Sequence, residues 1–289
     1  MNLNKKIILG GAQFGMKYGI ANKNGEISSK NLRKILNYAI NRQVYIIDTA
    51  TSYKRSLKKI FDISHNDNFK NKVKVIIKIK STSILNTVKF KKLYDKYNIY
   101  CLMAHSSKLF LKKSFQKKIK ILKKDYQFKI GVSIYENKEL SNLKRYYKII
   151  NVVQIPFNII NYKTFDAKVL DKLKKEKIEL HARSIFYQGV LLMNKKSIKS
   201  RFKSFYEKFN QLNYLSKKNK VNMIFICIKF VLNKNYFNKL IFGFDTLNQF
   251  KQIIKNLNSR KKIPYQIKNY LKNTDLKPFL PDPREFKYK

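Results

Sequence analysis

The stretch Val44–Tyr53 includes Asp48 and Tyr53, two side chains that can act on protons. A short apolar run ends there in an acid, Asp48, and a phenol follows five residues later, at Tyr53. Two later apolar runs end in an amine, Lys78, and an imidazole, His105. Such runs are typical of strands buried on both faces, and in parallel α/β folds the chemistry lies at the carboxyl ends of these strands. We therefore predict that all four side chains meet at one edge of a sheet.

Together these residue types can support the reduction of a carbonyl group. Adding a hydride to a carbonyl places negative charge on its oxygen, so a proton donor must lie within hydrogen-bonding distance. Tyr53 is the candidate donor, because a neighbouring ammonium such as that of Lys78 favours its anion. Asp48 would keep Lys78 charged and oriented, and His105 would hydrogen-bond the substrate oxygen. A site of this kind needs no metal.

Each of these residues also has a structural interpretation. Tyr53 is one of 19 tyrosines and could be half-buried packing. Asp48 could cap the helix that follows it, and His105 could be a histidine at the rim of the fold with its hydrogen bonds satisfied. A lysine at the end of an apolar strand is seldom buried without a partner, which favours a functional role for Lys78.

The remaining histidines and the cysteines indicate no metal centre. The chain has three histidines and no Cys or carboxylate spacing that matches a metal site, and we interpret His65 and His181 as structural. Cys101 and Cys227 each lie inside an apolar run, which predicts buried free thiols and fits a reducing cytoplasm.

The chain is strongly basic, with 64 Lys and Arg against 17 Asp and Glu and a net charge of +47. Such a charge raises nucleic acid or an anionic membrane as partners. However, the lysines are scattered through every predicted helix beside Asn, Ile, Tyr and Phe, which indicates adenine- and thymine-rich codons more than a basic surface. The longest apolar run, Val221–Leu232, is shorter than the roughly 20 residues that a membrane span needs. We expect neither a membrane span nor a specific nucleic-acid partner.

Strand-like and helix-like segments alternate along all 289 residues, with no Pro-rich or Gly-rich linker. The helix that Ser29 would cap shows the i, i+3, i+4, i+7 spacing of apolar residues, whereas the polar stretch around Asn194–Lys208 has no predicted element. The eight predicted strands are Lys6–Ala12, Val44–Asp48, Val73–Ile77, Tyr100–Ala104, Phe128–Ser133, Asn151–Pro156, Ile178–Arg183 and Lys239–Phe242. This alternation predicts an α/β fold, a parallel (β/α)8 TIM barrel in a single domain, with Lys261–Lys289 as a tail packed over one end.

Seven segments resemble the aldo/keto reductases, especially their bacterial branch, and stand in the order expected of that family. The resemblance runs from about residue 7 to residue 287. The segments are Leu9–Asn22, Asp48–Ala50 followed by Tyr53, Ile76–Lys78, Cys101–His105, Gly131–Ser133, Gln154–Asn158 and Arg183–Gly189. Each motif is weak alone, but the ordered set is strong.

The resemblance implies an oxidoreductase that reduces a small-molecule aldehyde or ketone to an alcohol, with NADPH as the expected cofactor and NADH as the alternative. It also assigns roles to nine residues. It implies catalytic roles for Asp48, Tyr53, Lys78 and His105, contacts of Ser133 and Gln154 with the nicotinamide amide, of Ser184 with the pyrophosphate, and of Gly243 and Thr246 with the adenosine phosphate at a helix start. A Gly-x-Gly-x-x-Gly motif after the first strand is absent from the sequence, in agreement with a nucleotide bound by a barrel.

The chain departs from the family pattern beside two of these residues. After Tyr53, relatives usually continue with Gly and then Ser-Glu, whereas this chain has Lys54–Leu57, and Ile134 replaces the usual Asn after Ser133. Two other classes stay open: a nucleotide-binding regulatory or scaffold protein on the same barrel, and a basic nucleic-acid-binding protein. The complete set of four catalytic residue types favours the enzyme, and the sequence indicates no particular oligomeric state.

Overall fold

Eight parallel strands close into a barrel in a computed structural model that describes residues 2–67, 69 and 71–286. Each strand pairs with its neighbours in chain order, and the first pairs with both the second and the last. The strands are β1 (Ile7–Gly10), β2 (Ile46–Ala50), β3 (Lys74–Ile79), β4 (Ile99–Ala104), β5 (Lys129–Ser133), β6 (Val152–Pro156), β7 (Glu179–Arg183) and β8 (Lys239–Phe242). The predicted (β/α)8 barrel is confirmed.

Helices surround the barrel and follow most of its strands. They are α1 (Ala12–Gly15), α2 (Ser29–Asn41), α3 (Ser56–Asn66), α4 (Thr87–Lys96), α5 (Ser107–Phe110), α6 (Lys113–Asp125), α7 (Asn137–Asn142), α8 (Ala167–Lys175), α9 (Lys195–Arg201), α10 (Lys203–Lys218), α11 (Met223–Leu232), α12 (Leu247–Asn258) and α13 (Tyr265–Asn273). The predicted bounds of β8 agree with the structure.

The strands read as continuous apolar runs because both of their faces are buried. One face fills the inside of the barrel and the other packs under the helices. The interior cluster consists of Ile8, Ile46, Ile76, Cys101, Met103, Val152 and Ile241. Cys101 and Cys227 are buried free thiols, as predicted.

Several predicted boundaries were wrong. The second strand runs from Ile46 to Ala50 and not from Val44 to Asp48, and the third runs from Lys74 to Ile79 and not from Val73 to Ile77, so Asp48 and Lys78 lie inside their strands.

Three further boundaries also differ. The first strand ends at Gly10 and not at Ala12, because the chain turns into α1 and the Gly11 amide donates to the Asp48 carbonyl, at 2.8 Å. Ser28, not Ser29, caps α2, since its Oγ accepts from the Asn31 amide at 3.3 Å. The sequence of Asn137–Tyr147 predicts one helix, but that helix ends at Asn142 and is followed by a 3-10 turn at Lys144–Tyr146.

The polar stretch around Asn194–Lys208 is helical, although the sequence indicated no element there. It forms α9 and the start of α10. Ile198 and Phe205 are fully buried, so a narrow apolar stripe among the lysines holds these helices on the barrel.

The chain after residue 260 folds back onto the loop that follows β7. The hydroxyl of Tyr187 donates to the Pro281 carbonyl at 3.0 Å, and Gln188 Nε2 donates to the Pro283 carbonyl at 2.9 Å. The hydroxyl of Tyr270 in α13 donates to the Lys208 carbonyl at 2.8 Å. These contacts bring the tail over the end of the barrel where the strands terminate; residues 287–289 lie outside the described part.

Among the described residues, no helix combines the length and the apolar character that crossing a membrane requires. The most apolar helix, α11, has 10 residues.

Candidate active site

A buried ion pair lies near the carboxyl ends of β2 and β3. Asp48 and Lys78 are each 3% exposed, and the Lys78 Nζ donates to Asp48 Oδ2 at 2.6 Å. The second carboxylate oxygen, Oδ1, accepts from Gln154 Nε2 of β6 at 2.7 Å. Both oxygens of Asp48 therefore have donors from neighbouring elements, which fixes the direction of the Lys78 side chain.

The surroundings of Lys78 hold it in its charged form. Burial alone would lower the pKa of Lys78, but the attraction of Asp48 and Tyr53 outweighs burial and raises that pKa above its ordinary value. The Lys78 Nζ lies 5.4 Å from the centroid of the Tyr53 ring. A permanent positive charge thus stands beside the phenol.

Tyr53 is held by a tight turn after β2. Its amide donates to the Ala50 carbonyl at 3.0 Å, and its carbonyl accepts from the Ser56 amide at 2.9 Å. The Ser56 hydroxyl is completely buried, donates to the Gly11 carbonyl at 2.8 Å and contacts Thr49 Oγ1 at 2.9 Å. The turn is therefore anchored to β1 and β2, and the half-buried phenol projects from a rigid support.

Gly15 and the left-handed backbone of Lys54 explain how this turn fits. A Cβ on Gly15 would lie 2.1 Å from the Ser56 backbone nitrogen and 2.2 Å from the Tyr53 carbonyl oxygen, so only glycine allows α1 to pack on the turn. Lys54 has φ of 41°, in the left-handed region where relatives place glycine. Leu57, at the place of the usual Glu, packs against the apolar core. The turn is formed despite these departures from the family pattern.

His105 follows β4 and meets Tyr53 edge to face. The two ring centroids are 6.1 Å apart with an interplanar angle of 81°. Burial, with the positive charges of Lys78, Arg183 and Lys80, lowers the pKa of His105 to about 3. The imidazole is therefore neutral at neutral pH, where it can donate or accept a hydrogen bond but has no extra proton to give.

A cavity of about 980 Å³ opens over these side chains, close to the upper size of ordinary ligand pockets. Asp48, Tyr53, Lys78 and His105 all line it. The four residues predicted to meet at one edge are therefore brought together and face one space.

Three of the five predicted cofactor residues line this cavity. Ser133, Ser184 and Gly243 line it, whereas Gln154 and Thr246 do not. Ser184 has φ of 58°, in the left-handed region, directly after β7. A Cβ on Gly243 would lie 2.9 Å from Gln13 Nε2, so this glycine keeps that part of the cavity wall open.

Gln154 and Thr246 instead support the wall from behind. Gln154 is completely buried and is paired in register with Ser133, and its Oε1 has no hydrogen-bond partner among the described residues. Thr246 caps α12, since its Oγ1 accepts from the Gln249 amide at 3.2 Å. The cofactor contacts of all five residues stay predictions.

Four charged residues that line the cavity had no role predicted from the sequence: Lys80, Arg183, Asp245 and Arg284. The Arg183 guanidinium lies 4.1 Å from the Tyr135 ring centroid, and the Arg284 guanidinium lies 4.6 Å from the same ring. Arg183 Nη2 also donates to the carbonyl of Ile134, at 3.0 Å. Asp245 enters the cavity from the loop after β8. Arg183 is the last residue of its strand, so the rule that selected Lys78 could have found it.

Part of the chain matches a known family. A family model described as the Aldo/keto reductase family matches residues 129–270, which confirms the resemblance seen in the motifs. Two solved structures of Pseudomonas aeruginosa proteins described as aldo-keto reductases each superpose with a TM-score of 0.63. Their identities are 12% and 11%, over 87% of this chain and 89% and 88% of theirs, so the similarity shows the fold alone. A comparison with curated proteins gave no match.

Proposed function

We propose that this chain, whose residues 129–270 match the aldo/keto reductase family, reduces an aldehyde or ketone to an alcohol in an NAD(P)H-dependent reaction. The observation that carries the proposal is the arrangement of Tyr53 between the Lys78–Asp48 pair and His105 in one open cavity. A reduced nicotinamide, when bound, supplies the hydride that this reaction requires.

Tyr53 is the proposed proton donor. Its hydroxyl would hydrogen-bond the carbonyl oxygen and transfer its proton as negative charge develops there. The Lys78 ammonium, 5.4 Å from the ring centroid, stabilises the phenolate that remains. Asp48 keeps that ammonium charged and in place, because it accepts from Nζ at 2.6 Å. No hydrogen bond to the Tyr53 hydroxyl is formed by the described residues, which leaves it available to a substrate.

His105 is proposed to orient the substrate oxygen. With its pKa lowered to about 3, the imidazole stays neutral during turnover and does not replace Tyr53 as the proton donor. One ring nitrogen of a neutral imidazole carries a hydrogen and can donate it to the carbonyl oxygen. This divides the work between a proton donor and a neutral hydrogen-bond donor.

Two polar groups at and behind the cavity wall suit a nicotinamide nucleotide. Ser133 offers a hydroxyl on the wall, and Gln154, which is paired with it and does not line the cavity, has a buried Oε1 acceptor without a partner among the described residues. An acceptor and a donor side by side match a carboxamide. Ser184 would hold the pyrophosphate, and Gly243 with Thr246 the adenosine phosphate at the start of α12. The buried free thiols of Cys101 and Cys227 support a reducing cytoplasm as the place of action.

The test is cofactor consumption by the purified protein with a panel of aldehydes, ketones and keto-sugars. We expect loss of reduced nicotinamide absorbance with at least one carbonyl, and thermal stabilisation by the cofactor alone, because a ligand that binds only the native state shifts unfolding. The absence of both turnover and stabilisation, with NADPH and NADH each at about millimolar concentration, would contradict the proposal.

A further inference from the structure

The cavity has two ends with different chemistry. In a closed barrel of eight strands in chain order, β8 lies opposite β4. The loop after β8 therefore faces the cavity from the side opposite His105, with Gly243, Phe244 and Asp245 on its wall. Gln249, Gln252 and Ile253 of α12 complete this far end.

The far end is acidic in a chain that is otherwise strongly basic. The cations that line the cavity are Lys78, Lys80, Arg183 and Arg284, and none of them belongs to the loop after β8 or to α12. Among the described residues of that segment, Asp245 is the one charged group on the cavity wall. With 64 Lys and Arg against 17 Asp and Glu, a carboxylate flanked by two glutamine amides is unexpected there.

The lysines closest along the chain are directed elsewhere. The Lys251 Nζ lies 5.5 Å from the centroid of the Tyr38 ring, on the outer side of α12. Lys255 is exposed and does not line the cavity. A phosphate group at this end would thus meet Asp245 without a cation from α12 to balance its charge.

The Asp245 main chain is held in position by a side chain of α12. Its amide donates to Gln249 Oε1 at 2.7 Å, which ties the residue to the first turn of α12. Burial raises the pKa of Asp245 above its ordinary value and outweighs the hydrogen bond with the Gln249 side chain, which lowers it, so the carboxylate is poorly solvated and favours a further hydrogen-bond donor as a neighbour. Ribose hydroxyls are such donors, whereas a phosphate is not.

We infer that Asp245 selects NADH over NADPH. Its carboxylate accepts a hydrogen bond from the adenosine ribose and repels a 2′-phosphate, which carries a charge of about −1.5 to −2 at neutral pH. The inference rests on the proposed function and reverses the preference for NADPH that the family resemblance implied. It is carried by the charge on one wall of the cavity and not by the catalytic residues.

The test is direct binding, measured by the fluorescence of the reduced nicotinamide and by calorimetry, without any carbonyl substrate. We expect the parent protein to bind NADH about 10- to 100-fold more tightly than NADPH, because juxtaposed like charges are strongly unfavourable. Asp245→Asn should reduce this ratio to within a few-fold, mainly by tightening NADPH. Asp171→Asn, which neutralises an exposed acid on α8, is the matched control and should leave the ratio unchanged.

A second pair of probes isolates the phosphate from the nicotinamide. Adenosine 5′-diphosphate should compete with NADH more strongly than adenosine 2′,5′-bisphosphate in the parent, and Asp245→Asn should narrow this difference. If both dinucleotides bind and NADPH binds equally or better, or if Asp245→Asn leaves the ratio unchanged, the inference is overturned while the proposed function stands. If neither dinucleotide binds, the proposed function fails and the inference fails with it.

Discussion

The two ends of the barrel carry the same four residue types in different arrangements. At the carboxyl end, Asp48, Lys78, Tyr53 and His105 surround the cavity. At the amino end, Glu179 and Lys129 begin β7 and β5, Tyr100 is the second residue of β4, and His181 lies in β7. Both sets contain an acid, an amine, a phenol and an imidazole, and it is the first set that lines the cavity of about 980 Å³.

At the amino end, the carboxylate binds the other three groups directly. Glu179 accepts from the Tyr100 hydroxyl at 2.6 Å and from Lys129 Nζ at 2.5 Å, and contacts His181 Nε2 at 3.2 Å. Burial and the hydrogen bond to Glu179 raise the pKa of Tyr100, because ionisation would place two negative charges together. This tyrosine keeps its proton.

At the carboxyl end, the carboxylate binds an ammonium and an amide. Asp48 accepts from Lys78 with one oxygen and from Gln154 with the other, and the Lys78 Nζ lies 5.4 Å from the centroid of the Tyr53 ring. The phenol then has a cation and not an anion as its charged neighbour. The two sets therefore differ in the partner of the carboxylate: Glu179 binds the phenol of Tyr100, whereas Asp48 binds the ammonium of Lys78.

The largest expected effect separates the two tyrosines. Tyr53→Phe removes only a hydroxyl, and if that hydroxyl is the general acid, carbonyl reduction should fall by roughly 10² to 10⁴ while cofactor binding persists. Tyr100→Phe is the control and should leave turnover within a few-fold, because its hydroxyl is bound to Glu179 outside the cavity. Equal turnover by the Tyr53→Phe variant and the parent would remove Tyr53 from the mechanism.

The next largest effect is on stability and separates the two lysines. Lys78→Met leaves Asp48 buried with Gln154 as its one remaining partner, and breaking a buried pair in this way costs about 3–5 kcal/mol. Lys129→Met should cost about 1 kcal/mol or less, because the Lys129 side chain is 38% exposed and Glu179 keeps two other partners. Urea unfolding of both variants measures the difference. Similar losses of unfolding free energy in both variants would mean that the Lys78–Asp48 pair stabilises the fold no more than the Lys129–Glu179 pair.

Sequence reasoning recovered the barrel and the carboxyl-end set for the same physical reason. Strands buried on both faces are continuous apolar runs, and a polar residue that ends such a run is conspicuous. The amino-end set was not predicted. Its members Tyr100, Lys129 and Glu179 lie at the starts of three strands, where polar residues are ordinary. Their hydrogen bonds exist only because the barrel closes, which places β4, β5 and β7 around a common interior. The proposed role of Asp245 was not predicted either, because it depends on which cations of the folded chain line the cavity and not on the residue itself.

A smaller effect should follow from moving the Tyr53 turn. Gly15→Ala places a methyl group 2.1 Å from the Ser56 nitrogen, so the turn must shift, and a displacement of about 1 Å can cost about 10²-fold in rate. Gly131→Ala is the control from the barrel interior. Its methyl group would meet the Cys101 sulfur and the Met103 side chain, which can adjust, so stability should fall more than turnover. Steady-state kinetics with thermal melting distinguishes them, and unchanged kinetics in Gly15→Ala would show that Gly15 does not position Tyr53.

The smallest effect is a pH dependence confined to the amino end. Burial would raise the pKa of Glu179, but hydrogen bonds from His181, Lys129 and Tyr100 lower it from 4.5 to about 2. An acid whose pKa is lower in the folded state stabilises the protein above its unfolded pKa, and this stabilisation is lost as pH falls from 4.5 to about 2. Solvent screens this partly exposed group, so Glu179→Gln should cost about 1 kcal/mol at neutral pH. The difference from the parent should shrink below pH 4.5 while turnover at neutral pH stays within a few-fold. Urea unfolding across this range measures it, and a difference that stays constant down to about pH 2 would show that the Glu179 carboxylate does not hold the amino-end cluster together.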